Sequence, residues 1–123
     1  MIGVGSNIDA QRWISEGREK IRRVCKLKAE SDFVTTAPIG FTNQPDFVNG
    51  AWLVETEMHR EDLESALHTI EAQCGRVRTA NKYGPRTLDL DLIVWDGEVV
   101  DEDVYDRPFL KEAVQMLLPG LFI

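Results

Sequence analysis

Asp89 and Asp91 alternate with leucines in the run Gly84-Pro85-Arg86-Thr87-Leu88-Asp89-Leu90-Asp91-Leu92-Ile93. On a strand the two aspartates point to one face, with Cα atoms about 6.5–7 Å apart. Leu88, Leu90 and Leu92 then point the other way, toward a core. Two parallel carboxylates on a stiff strand repel unless positive charge lies between them. A hard cation with oxygen ligands answers that need, and magnesium typically takes one or two carboxylates plus substrate phosphates. An acidic, solvated strand face is the plainer alternative. Arg76, Arg78 and Arg86 lie within thirteen positions of Asp89, with Lys82 beside them. Guanidinium groups next to such a site suit phosphate oxygens through charge-assisted bonds. Surface salt bridges of little energetic weight are the competing reading.

A second cluster runs Thr36-Ala37-Pro38-Ile39-Gly40, then Gln44-Pro45-Asp46-Phe47-Val48-Asn49. Phe47 and Asn49 share a strand face. A flat ring stacks on a phenyl group, and an amide can donate to and accept from a heteroaromatic edge. A core Phe and a turn Asn would look the same in sequence. His68 precedes Glu71 by three positions on a helix that leads to Arg76, so it can line the same site. His59 reads as a turn residue. Gly5-Ser6-Asn7 reads as a tight turn and helix cap and lacks the spacing of a P-loop.

These residues need elements to carry them. Residues 2–5 read as a short strand. Trp13, Ile14, Gly17, Ile21, Val24 and Cys25 follow helical spacing from Asp9 to about Lys26, with Asp9 or Asn7 as N-cap. Residues 33–36 and 46–56 read as strands, with Phe47, Asn49, Ala51 and Leu53 on one face of the second. Residues 61–74 form a second helix with Leu63, Leu67 and Ile70 as its stripe, ended by Gly75. Residues 86–95 read as one strand, turned by Asp96-Gly97 into 98–100. Residues 110–117 read as a last short helix. The order β-α-β-β-α-β, plus a hairpin strand and a short C-terminal helix, suggests a ferredoxin-like α+β sandwich with both helices on one sheet face.

The bulk properties set limits. The chain has 123 residues, 43% hydrophobic and 28% charged, consistent with a single globular domain spanning 1–123. A net charge of −7 argues against a general nucleic-acid binder. It leaves room for a nucleotide held by a local arginine cluster. No run of about 18 apolar residues is present, so no membrane span is expected. No signal peptide precedes the first motif. Cys25 and Cys74 lie on apolar stripes and read as core thiols, which suits a reducing, cytoplasmic setting.

Five blocks, in order, resemble the 6-hydroxymethyl-7,8-dihydropterin pyrophosphokinase family. They are Gly5-Ser6-Asn7, Thr36-Ala37-Pro38-Ile39-Gly40, Gln44-Pro45-Asp46-Phe47-Val48-Asn49, Gly75-Arg76-Val77-Arg78 and Gly84-Pro85-Arg86-Thr87-Leu88-Asp89-Leu90-Asp91. The resemblance implies transfer of the β,γ-pyrophosphoryl group of ATP to the hydroxymethyl oxygen of a dihydropterin, in folate biosynthesis, with release of AMP. It implies that Asp89 and Asp91 hold two magnesium ions, with Arg86 joining them in catalysis. Thr36, Pro38, Ile39, Phe47 and Asn49 would hold the pterin. His68, Glu71, Arg76, Arg78, Arg86 and Leu92 would face ATP, and Tyr83 would stand in a mobile loop where relatives carry Trp.

The tail departs from the family. Its Val-Pro-His stretch has no counterpart in Asp103-Val104-Tyr105-Asp106-Arg107-Pro108-Phe109-Leu110, and Lys111-Glu112-Ala113 offers no clear Arg-x-Phe. Arg107 and Phe109 are the candidates to substitute. Three readings follow: an active pyrophosphokinase, as monomer or homodimer; a non-catalytic pterin- or nucleotide-binding relative; and an unrelated ferredoxin-like binding domain.

Overall fold

A computed structural model describes residues 1–40, 42–76 and 84–121. Its elements are β1 (Ile2–Ser6), α1 (Ala10–Val24), β2 (Lys26–Glu30), β3 (Val34–Thr36), β4 (Phe47–Glu55) and α2 (Arg60–Gln73). Then follow β5 (Asp89–Leu92), β6 (Val94–Trp95), β7 (Glu98–Val99), α3 (Asp103–Asp106) and α4 (Pro108–Leu117). Five strands form one antiparallel sheet in the order β2-β4-β1-β5, with β3 also paired to β4. β6 and β7 make a separate hairpin. The fold is thus α+β, built on an antiparallel sheet.

Burial explains the layering. Ile14, Gly17 and Ile21 recur at helical spacing and are the buried residues of α1. Leu63, Leu67 and Ile70 do the same in α2. Both stripes pack on one sheet face, against Ile2, Val4, Trp52, Leu88 and Leu90. Gly75 follows the C-cap of α2, and its φ of 76° suits glycine. The opposite face is covered only in part. There α4, opened by Pro108 in its first turn, buries Leu110, Ala113 and Val114 against Ala51, Ile93 and Val94.

Four sequence expectations are corrected. The first helix stops at Val24, and Lys26–Glu30 forms an edge strand instead. Its Lys-Leu-Lys-Ala-Glu alternation is the strand period, but its lysines and glutamate are weak strand formers. The 86–95 strand is divided: Arg86 lies before β5, and the chain breaks at Ile93, where Met1 carbonyl oxygen accepts from the N–H groups of Ile93 and Val94. Gly5 and Ser6 belong to β1 rather than to a turn. Asp9 stands at the N-cap of α1 in a left-handed conformation without a side-chain capping bond, and Asn7 does not cap it.

Candidate functional site

The uncovered half of the second sheet face is floored by three neighbouring strands. The central strand β1 sends Ile2 and Val4 into the helix-side core. Its alternate residues, Gly3 and Gly5, face the other way. A Cβ at Gly3 would lie 3.4 Å from Ile93 and 3.5 Å from Leu110, so α4 closes over this point. Gly5 lies beyond α4's reach and pairs with Asn49 on one side and Asp89 on the other. The floor therefore reads Asn49, Gly5, Asp89 across the strands.

A cleft of about 350 Å³ opens over this floor. Thr36, Ala37, Ile39, Phe47 and Asn49 line one side, and Arg86, Asp89 and Asp91 the other. Asp103, Arg107 and Phe109, from α3 and the start of α4, complete the rim. Asn49 Nδ2 donates to Thr36 Oγ1 at 2.6 Å, which fixes the amide on the register that pairs β3 with β4. The two aromatic residues Phe47 and Phe109 thus come from well-separated parts of the chain to one cleft. A second cleft, of about 490 Å³, is lined by Arg60, His68, Leu90, Leu92 and the acidic Asp101 and Glu102, among others. Asp91 and Asp103 line both clefts, so the two meet there.

The electrostatics centre on the aspartates. Arg76 Nη1 donates to Asp89 Oδ1 at 2.9 Å, and Arg86 Nη1 to Asp89 Oδ2 at 3.1 Å. Arg76 also donates to Glu71 Oε2, and the same oxygen accepts the Leu90 backbone N–H at 2.8 Å. Glu71 is only 2% exposed. Where the resemblance set it toward the nucleotide, the structure makes it the anchor of Arg76. Among the described residues Asp91 has no such pairing of its own. Burial, and then the charges of Asp89, Glu71 and Asp101, push its carboxyl up to about 7, with Arg76 opposing.

That excess of negative charge at Asp91 is what a hard cation would relieve. No cluster of three or more candidate metal ligands occurs among the described residues. The carboxylate oxygens of Asp89 and Asp91 suit an ion that keeps water and takes substrate oxygens, as magnesium does. Asp89 would have to release a guanidinium to join it.

The structure brings Thr36, Ile39, Phe47, Asn49, Arg86, Asp89 and Asp91 to one cleft, and His68 and Leu92 to the adjoining one. Pro38 does not line the ring-side cleft; its neighbour Ala37 does. Arg78, Lys82 and Tyr83 lie outside the described residues. Sequence reasoning missed Gly5 as floor, Asp103 at the junction and Asn7 as a tie between loops. It named Arg107 and Phe109 only as substitutes. The Arg-x-Phe spacing is present in Arg107-Pro108-Phe109, ahead of Lys111-Glu112-Ala113.

The family model described as 7,8-dihydro-6-hydroxymethylpterin-pyrophosphokinase (HPPK) matches residues 1–119. The chain is similar to the 2-amino-4-hydroxy-6-hydroxymethyldihydropteridine pyrophosphokinase of Pseudomonas aeruginosa, at 35% identity over 103 residues, covering 81% of this chain and 63% of that protein. It therefore spans less than two thirds of that relative's length. The enzymes of the same name from Haemophilus influenzae and Methylorubrum extorquens are 31% and 32% identical. Those matches cover 97% and 96% of this chain, and 84% and 77% of the relatives. With the family model spanning nearly its whole length and relatives above 30% identity covered for more than two thirds of their length, the chain belongs to the 7,8-dihydro-6-hydroxymethylpterin-pyrophosphokinase family.

Proposed function

We propose that this protein transfers the pyrophosphoryl group of ATP to the hydroxymethyl oxygen of 6-hydroxymethyl-7,8-dihydropterin, releasing AMP. The observation that carries this reading is the meeting of two clefts at Asp91. One has ring-binding chemistry, the other opens beside His68 and Leu92, and a group passing between their occupants must pass the aspartate strand. The strand order β2-β4-β1-β5 supports the ferredoxin-like arrangement for this scaffold.

Each residue has a task that follows from its place. Phe47 stacks on the pterin ring, with Phe109 opposite as the second wall. Asn49, held by Thr36, pairs with the ring's amide edge. Asp89 and Asp91 would hold magnesium, which when bound offsets charge on the phosphates. Arg86 and Arg76 supply guanidinium groups to phosphate oxygens. His68 and Leu92 flank the nucleotide. The hydroxymethyl oxygen attacks the β-phosphorus, the bond from that phosphorus to the α–β bridging oxygen breaks, and AMP carries the electron pair away. The hydroxyl proton leaves toward the water-accessible junction at Asp91. Positioning and charge compensation do the catalytic work.

The test is AMP release by the purified protein with ATP, magnesium and 6-hydroxymethyl-7,8-dihydropterin. The Asp89→Ala, Asp91→Ala double variant is the blank. Pterin-dependent AMP absent from the blank supports the enzyme. A folded wild-type protein that makes no AMP overturns it.

A further inference from the structure

Asn7 is 7% exposed and lies in the short link between β1 and α1. Its side-chain amide and its backbone N–H are spent on two distant segments. Its Nδ2 donates to Gln44 Oε1 at 2.8 Å and to the Pro45 carbonyl oxygen at 3.0 Å. Its Oδ1 accepts the backbone N–H of Arg86 at 2.8 Å, and its own N–H donates to the Arg86 carbonyl at 3.1 Å. The amide orientation is dictated by these partners: a flipped amide would set oxygen against the Pro45 carbonyl and nitrogen against the Arg86 N–H. Aspartate or serine would not serve, because neither donates twice and accepts once.

The two segments are the two halves of the site. Gln44 and Pro45 run directly into Phe47, the ring wall. Arg86 places its guanidinium on Asp89. Neither segment has regular secondary structure, so neither fixes its own position. Asn7, mounted at the end of the central strand, supplies a common reference for both. We propose that Asn7 is a positioning residue that ties the ring-binding loop to the segment carrying Arg86, and so sets the spacing between the ring wall and the phosphate-side charges. This rests on the function proposed above and adds to it a residue that touches neither substrate.

The two arms can be cut separately. In Asn7→Asp one carboxylate oxygen still accepts from Arg86, while the other faces the Pro45 carbonyl, acceptor against acceptor. Gln44→Ala removes part of the same arm and leaves Asn7 in place. Asn7→Ala removes both side-chain arms. Calorimetry on the full chain measures binding of 6-hydroxymethyl-7,8-dihydropterin and, separately, of a non-hydrolysable ATP analogue with magnesium. Asn7→Asp and Gln44→Ala should each weaken pterin binding by about fivefold, the scale of one lost hydrogen bond, and leave the nucleotide within about twofold. Asn7→Ala should weaken both. Amide exchange without ligand is the independent readout. In Asn7→Ala, exchange should accelerate together at the amides of Gln44, Asp46 and Phe47 and at those of Gly84, Arg86 and Thr87.

Folded variants with unchanged affinities overturn the proposal, as does Asn7→Asp weakening both ligands equally. A purely structural asparagine would lower the melting temperature and leave affinities alone. If the wild-type protein binds no pterin, the proposed function fails, and the exchange experiment alone decides the tie: acceleration in both segments upholds it, and no change in either overturns it.

Discussion

Asn49 and Asp89 are both register partners of Gly5, so an amide and a carboxylate on the open sheet face stand on either side of one glycine. Two strand spacings set them about 10 Å apart between backbones. No side chain rises between them.

Filling that gap should act on the ligand before it acts on the fold. A Cβ at Gly5 would lie 2.8 Å from Asn49 Oδ1. The amide is the end of a side chain and can swing aside, at the expense of its bond to Thr36. Gly5→Ala should weaken pterin binding by about tenfold, little more than one hydrogen bond's worth. Its melting temperature should stay within a few degrees of wild type. A large loss of stability with intact affinity would contradict this geometry.

Glu71 carries structural weight that its charge alone does not reveal. Its carboxylate joins α2 to β5 through the Leu90 N–H and holds Arg76 in place. Glu71→Ala leaves the largely buried guanidinium of Arg76 with Asp89 as its one acidic partner among the described residues and should cost about 3 kcal/mol in urea unfolding. Glu71→Gln keeps an acceptor and should cost less, while AMP formation falls at least about tenfold because Arg76 loses its charged anchor. Unaltered stability in the alanine variant would show that Arg76 finds another partner.

Removing Arg86 should move two affinities in opposite directions. Its guanidinium occupies Asp89 Oδ2, an atom that a cation would use. Arg86→Ala should therefore bind magnesium alone more tightly. It should bind the magnesium–ATP analogue more weakly, by about tenfold, through the lost charge-assisted bond. Titration with magnesium alone, then with the complex, tests both signs. Weaker binding of both would place Arg86 outside this competition.

Asp91 makes the metal-free protein sensitive to pH. Its carboxyl is held near 7 in the folded state, against 3.8 ordinarily. Between those values the folded chain keeps a proton that the unfolded chain has lost. The stabilising contribution is thus complete below about pH 4 and disappears as pH rises through 7. Asp91→Asn should then melt a few degrees above wild type at pH 8 without magnesium, and level with it at pH 4. Asp91 is solvent-exposed, so screening limits the gain to about 1 kcal/mol at most. Magnesium affinity of the wild type should climb over the same range, since the cation needs the ionised carboxylate. Melting curves across pH, with and without magnesium, check both. A variant advantage that grows toward acid would reverse the assignment.

The alternation of Leu88, Asp89, Leu90 and Asp91 set apart a core face and a charged face before any fold was known, because a strand's period of two allows nothing else. The apolar stripes of the helices at Ile14 to Ile21 and Leu63 to Ile70 were legible for the same kind of reason. Phe47 and Asn49 were legible as a pair on one face. The edge strand Lys26–Glu30 was not, since its residues are poor strand formers and only pairing to β4 extends them. Nor were the roles of Asn7 and Glu71. An asparagine after a strand and a glutamate on a helix are locally suited to capping and to solvent. Their partners lie 37, 79 and 19 positions away, and only packing brings those together. The sequence by itself determined which residues have site chemistry and which strand face carries the aspartates. The tertiary structure alone decided that α4 stops short of Gly5. That leaves half a sheet face open, and the open half is where Phe47 and Phe109, far apart along the chain, line one cleft.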